Sequence, residues 1–215
     1  MDWSTFSIGN AAGTVKKPGP RFDALLESEA THITIGTITR EEIAGNPGRT
    51  IYSKGGTSIN SVGLKNPGVD YFKSRAKDMA LRARDNGKEL RWSIAGSNPD
   101  EYGEVAALLS PYGTIEADLS CPNVWHGMVQ VSMPVEDTDL MRNIMNKVSG
   151  NVEERFDLKV PYLYPLMLQT TVTGIRSLKG RTGHIVTCNT LMNGIAYVDR
   201  KRVLDSPGGF GGVGG

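Results

Sequence analysis

Cysteine is scarce in this chain. Only Cys121 and Cys188 occur in 215 residues, too few for a disulfide framework, so a reducing compartment and a cytoplasmic location are the simplest reading. Charge of one sign is also lacking. A formal net charge of +1 gives no basic surplus and argues against broad binding to nucleic acid or to an acidic membrane surface. No run approaches the ~18 apolar residues of a membrane span. Met1-Asp-Trp-Ser-Thr5 carries no basic region, which speaks against a secretory signal. No Gly-x-x-x-x-Gly-Lys-Ser/Thr motif is present, which disfavours a nucleoside triphosphatase. Asn10-Ala-Ala-Gly13, after the first expected strand, is not the glycine-rich turn of a dinucleotide fold. No metal site is expected. What remains is a globular chain, 39% hydrophobic, with length for one domain or at most two. Glycine is plentiful at 26 residues and crowds into Pro207-Gly-Gly-Phe-Gly-Gly-Val-Gly-Gly215. By composition alone that segment reads as a flexible tail or linker.

Strand and helix patterns alternate along the chain. Strands are expected over 5–10, 32–39, 90–95, 114–119, 156–160 and 185–188, from apolar residues at period two or in short runs. Arg21–Glu29 carries apolar residues at helical spacing. Val69–Asp85 reads as one long amphipathic helix with Tyr71, Phe72, Met79, Ala80 and Leu81 as its apolar set. Asn98 is the expected N-cap of the next helix, with Pro99 in its first turn. Asp137–Val148 carries Leu140, Ile144, Met145 and Val148 on one face. Leu166–Leu178 is a weaker helix, because its threonines and Gly174 lower propensity. About six strand–helix alternations predict an α/β fold with a parallel sheet or barrel.

The most informative stretch is Ile115-Glu-Ala-Asp-Leu-Ser-Cys-Pro-Asn-Val124. It begins with the alternation of a half-buried strand, and Pro122 then stops the ladder because proline has no N–H to donate. Cys121 sits at that stop. A lone cysteine is more often a small buried hydrophobe, but other polar residues recur at successive strand ends: Asn10, Asn60, Asn123, Lys159, Asn189 and Thr190. In a barrel such ends converge on one mouth, where chemistry is carried out. Asparagine offers both donors and acceptors, so several can match an imide or pyrimidine edge. Lys159, between Leu158 and Val160, is either a partly desolvated cation beside a ligand or a strand-edge lysine on the surface.

These residues carry a family resemblance. Ser58-Ile-Asn-Ser-Val-Gly-Leu-Lys-Asn-Pro-Gly-Val-Asp-Tyr-Phe72 resembles the substrate loop of class 1 dihydroorotate dehydrogenases, and Leu119-Ser-Cys-Pro-Asn-Val124 resembles their catalytic loop. Asp157-Leu-Lys-Val-Pro161, Cys188-Asn-Thr190 with Asn193-Gly194, and Gly209-Phe-Gly-Gly-Val-Gly-Gly215 resemble three further motifs in the family's order. The resemblance implies a (β/α)₈ TIM-type barrel with FMN at its C-terminal mouth and oxidation of dihydroorotate to orotate in pyrimidine synthesis. It implies Cys121 as the base. It implies substrate contacts from Asn60, Val62, Gly63, Leu64, Asn123, Asn189 and Thr190. It places Ala12, Thr37, Asp118, Lys159, Cys188 and Gly212 toward the flavin. The expected partner is a small pyrimidine, with no nucleic acid and no membrane; a homodimer is one assembly open to the chain, and the sequence does not decide the oligomeric state.

Two positions depart from the family. Gly36 stands where it commonly has a lysine, and Asp118 where it has an asparagine. One cation is lost and one anion gained, which is expected to weaken an anionic substrate. A related neutral pyrimidine and a non-catalytic role are therefore alternative readings. Length departs as well, since a barrel of this type needs ~250 residues and keeps its phosphate site after strands seven and eight. The expectation is a single barrel domain over 1–215, about six of eight strands, truncated at its C-terminus and inactive alone.

Overall fold

The computed structural model describes residues 7–121, 125–126, 129–130, 132–162, 165–178 and 180–214. The strands in chain order are β1 (His32–Ile38), β2 (Ile51–Lys54), β3 (Thr57–Asn60), β4 (Glu89–Ile94), β5 (Thr114–Asp118), β6 (Trp125–His126), β7 (Val129–Gln130), β8 (Phe156–Lys159), β9 (Thr182–Val186), β10 (Leu191–Gly194), β11 (Tyr197–Val198), β12 (Lys201–Arg202) and β13 (Gly211–Gly214). The helices are α1 (Pro20–Leu26), α2 (Ala76–Asp85), α3 (Pro99–Leu109), α4 (Thr138–Gly150) and α5 (Pro165–Ser177). Five strands form a sheet in the order β1-β4-β5-β8-β9, and every neighbouring pair is parallel. Helices connect them, as parallel strands require. This is an arc of a (β/α)₈-type barrel.

The arc is buried on both faces from β1 to β8, while β9 at its edge is largely exposed. Leu90, Trp92 and Ile94 of β4, Ile115 and Ala117 of β5, and Phe156 and Leu158 of β8 join one apolar cluster with the helices. Phe72 meets Trp92 edge-on at 5.6 Å between ring centroids. The alternate residues are polar and equally enclosed: Arg91, Ser93, Glu116, Asp118 and Asp157. The expectation of a half-buried strand at 114–119 is therefore corrected. Period two says that the two faces differ, and here the polar face is the barrel interior rather than solvent.

Other boundaries shift for local reasons. In place of a strand over 5–10, the described part has one parallel bridge, Gly9 to His32. The Asn10 side chain then acts as a strand would. Its Nδ2 donates to the Thr34 carbonyl at 2.7 Å, and Thr34 N donates to its Oδ1 at 2.9 Å. Val69–Asp85 is not one helix. A short 3₁₀ turn at Val69–Tyr71 follows Gly68 at φ 75°, and α2 starts only at Ala76. The break seats Phe72 in the core, while Leu81 is exposed. Asn98 is the N-cap as expected, its Oδ1 accepting from Glu101 N at 3.1 Å; such a cap contributes ~1 kcal/mol. Among the described residues no helix is long and apolar enough to cross a membrane.

The C-terminal glycines are ordered as a strand. β13 pairs antiparallel with β3, Gly212 opposite Asn60 and Val213 opposite Ile59, in a second sheet of order β10-β13-β3-β2. A side chain at Gly211 would meet the Asn60 carbonyl at 2.7 Å, so a bare backbone is what lets this strand lie against β3.

Candidate active site

The C-terminal ends of the parallel strands and the antiparallel sheet enclose a cavity of about 400 Å³. Ala12, Thr37, Asn60, Val62, Gly63, Leu64, Asp118, Cys121, Lys159, Asn189 and Thr190 line it. Eleven positions expected from sequence are thus brought together from six chain segments. Cys188 is exposed and does not line the cavity. Gly212 also lies outside the lining; its carbonyl accepts from Asn60 Nδ2 at 3.4 Å, so it bears on the cavity by holding Asn60. Asn123 lies outside the described residues. Asn10 is spent on Thr34, as described above, and does not line the cavity.

Asp118 organises the floor. Its Oδ2 accepts from Lys159 Nζ at 3.2 Å and from Thr37 Oγ1 at 3.1 Å. Its Oδ1 accepts from the Ser120 amide at 3.0 Å and the Ser120 hydroxyl at 2.6 Å. The side chains are 2% and 12% exposed for Asp118 and Lys159. Burial pulls Lys159 toward the neutral amine, but Asp118 and then Glu116 outweigh it and raise its pKa above the ordinary lysine value. Below this floor, buried Tyr102 donates its hydroxyl to the Asp118 carbonyl at 2.8 Å. Desolvation, aided by the Asp118 charge, pushes that phenol far up, so it stays a neutral donor. This pairing bears on the charge expected at Asp118 from the sequence. Asp118 does not face the cavity as a bare anion, because Lys159 matches its charge.

The thiol loop is held from the side. Asn189 Nδ2 donates to both the carbonyl and the hydroxyl of Ser120 at 3.0 Å, and its Oδ1 accepts from Thr190 N at 2.8 Å. Asn189 thereby fixes the residue immediately before Cys121. The 60–65 loop is held by Asn46, whose Nδ2 donates to the Ser61 carbonyl at 2.9 Å and hydroxyl at 3.1 Å. Gly63 adopts φ +71°, where a side chain would strike Asn46. In the sequence Asn46 stands in Gly45-Asn-Pro-Gly48, whose composition signals only a turn.

Lys16 was also missed. It lines the same cavity and donates from Nζ to the Lys65 carbonyl at 2.6 Å. Burial lowers its pKa, and the Cys121 charge partly opposes that.

A family model described as dihydroorotate dehydrogenase matches residues 5–215. The chain belongs to this family. Among dihydroorotate dehydrogenases, the chain is 32% identical over 209 residues to a protein of Streptococcus agalactiae named "Putative dihydroorotate dehydrogenase A (fumarate)". It is 30% identical over 211 residues to dihydroorotate dehydrogenase (fumarate) of Saccharomyces bayanus. Each match covers 96% of this chain and 65% of the relative, so the chain spans just under two thirds of their length. The crystal structure of DHODH from Eimeria tenella in complex with ferulenol superposes with a TM-score of 0.73 at 20% identity, over 96% of this chain and 61% of that one. That likeness carries the barrel fold.

Proposed function

We propose that the cavity holds a pyrimidine ring beside FMN, and that the protein oxidises dihydroorotate to orotate with Cys121 as general base. The observation that carries this is the convergence of Cys121, Lys159 and Asn60 on one cavity at the strand ends. The donor set suits the flavin: a buried ammonium held by Asp118, the Thr37 hydroxyl, and a wall of small residues at Ala12 and Gly13 that lets a ring lie against backbone. FMN, when bound, supplies the acceptor for the hydride that leaves ring carbon C6. The chain's own residues do the rest. Asn60 presents an amide to the ring edge. Cys121, as thiolate, takes the proton from C5 on its Sγ, and the carbon–carbon double bond forms as that C–H pair is released. Lys159 keeps a positive charge at the cavity floor, where negative charge developing on a bound ring would be stabilised.

The test is the Cys121→Ala variant of the full-length protein. Turnover should fall ~10²–10⁴-fold, the usual contribution of a general base, while the bound-flavin spectrum is kept. Cys121→Ser should keep some activity with its optimum at higher pH. Unchanged turnover of Cys121→Ala at every pH would remove Cys121 from the reaction.

A further inference from the structure

Among the described residues, the charged side chains lining the cavity are Lys16, Asp118 and Lys159. Asp118 and Lys159 compensate each other at 3.2 Å. Lys16 is left as the surplus charge. Its hydrogen-bond partner, the Lys65 carbonyl, is neutral and occupies one of three ammonium donors. Among the described residues no other acceptor or carboxylate is paired with it, so ammonium donors and a positive charge face whatever enters.

The position of Lys16 is built rather than incidental. Its loop is laced to β1: Gly13 N donates to the Gly36 carbonyl at 2.7 Å, and Gly36 N donates to the Val15 carbonyl at 2.9 Å. Val15, next to Lys16, is buried in the core. The tip is then tied across to the 60–65 loop by the bond to Lys65. Strand β1 itself cannot supply this charge at Gly36. That residue has φ +128°, and a Cβ there would lie 2.4 Å from the Ser93 carbonyl of β4. A cation for this part of the cavity has to come from a neighbouring segment, and Lys16 reaches in from the loop hydrogen-bonded to that residue.

We propose that Lys16 is the specificity-determining cation of this site, pairing with an anionic substituent, a carboxylate, on the ring that the cavity binds. The inference rests on the pyrimidine reading of the cavity. It runs against the expectation from Gly36 and Asp118 that the site favours a neutral ring. With Asp118 matched by Lys159 and Cys121 held as the neutral thiol, the described lining carries net positive charge and selects the anion.

The experiment is calorimetric titration of the full-length protein with orotate, which bears the carboxylate, and with uracil, which lacks it. Lys16→Gln removes the charge and keeps a donor for the Lys65 carbonyl; Lys16→Met removes both. Both variants should lose about 10- to 100-fold in orotate affinity, the usual weight of a charge-assisted hydrogen bond, while uracil affinity stays within about twofold. Equal weakening of both ligands in Lys16→Gln, or unchanged orotate affinity, would overturn the proposal and leave Lys16 a loop tether. A parent protein that binds neither ligand would instead overturn the pyrimidine reading itself, and this inference with it.

Discussion

Replacing Asp118 by asparagine tests the cavity floor directly. The family resemblance makes this look like a benign change, yet the geometry makes it a costly one. Asp118 takes four hydrogen bonds, two on each oxygen. Asparagine has one carbonyl oxygen, so whichever way the amide turns, an NH₂ group faces two former donors. If it faces Thr37 and Lys159, the ammonium is left 12% exposed with its nearest countercharge gone. Removing one partner of a buried pair costs ~3–5 kcal/mol, a large part of the ~5–15 kcal/mol that a domain has. The pH dependence separates this from simple loss of packing. In the parent, Lys159 binds its proton above the ordinary lysine value. The pair's stabilisation is therefore present at neutral pH and lost only as pH rises through that raised value. In the variant, burial acts without Asp118 and the lysine gives up its proton earlier. The penalty should be largest near pH 7 and shrink as pH rises toward the ordinary lysine range. Urea unfolding of the parent, Asp118→Asn and the Asp118→Asn/Lys159→Met double variant at pH 7 and pH 9.5 would show it. The double variant should recover part of the loss. A gap below ~1 kcal/mol, or one independent of pH, would refute a charge-compensated floor.

Two further outcomes follow from the same interior. Gly36→Ala should destabilise by ~2 kcal/mol or more, since it combines a left-handed backbone with a 2.4 Å approach to a β4 carbonyl that cannot rotate away; thermal unfolding at neutral pH measures it, and an unchanged midpoint would show that β1 and β4 can part. Glu116 is 4% exposed with Oε1 lacking a partner among the described residues, and desolvation raises its pKa. Its charge therefore costs stability once pH exceeds the ordinary glutamate value, and Glu116→Gln should raise the urea midpoint at pH 8 and progressively less toward pH 4.

Much of the barrel was legible because its strands announce themselves twice, by apolar alternation and by the turn residues that end them. β5 (Thr114–Asp118) is the clearest case, its alternation followed in the sequence by a proline at position 122. What alternation cannot report is whether the second face is wet, so the enclosure of Glu116 and Asp118 had to come from the fold. The antiparallel sheet was hidden for a different reason. β13 is glycine and one valine; it has almost no side-chain signal, and its strand character comes from β3 across the ladder. The 69–85 helix was overread because its apolar spacing continues through Phe72 even though the backbone turns after Gly68. Cys121, Asn60 and Lys159 were legible as residues that meet at one cavity because they stand at or just after strand ends. Lys16 was not, since its partner Lys65 is 49 positions away, and a lysine in a loop looks the same in sequence whether it faces solvent or a cavity.

The division of charge inside the cavity follows from where each residue is rooted. Asp118 and Lys159 lie opposite each other at the ends of β5 and β8, two elements fixed by packing on both faces. Charges held that rigidly and that deeply must be balanced within the protein, because nothing else is near enough to balance them. Lys16 is rooted in a loop and half-buried, so it keeps access to solvent and can trade water for a ligand's charge. A pair at the floor sets a constant field, and a single cation on the wall is free to respond to what binds. On this arrangement affinity for the ring and preference for its charge are separable properties, carried by different segments of the chain.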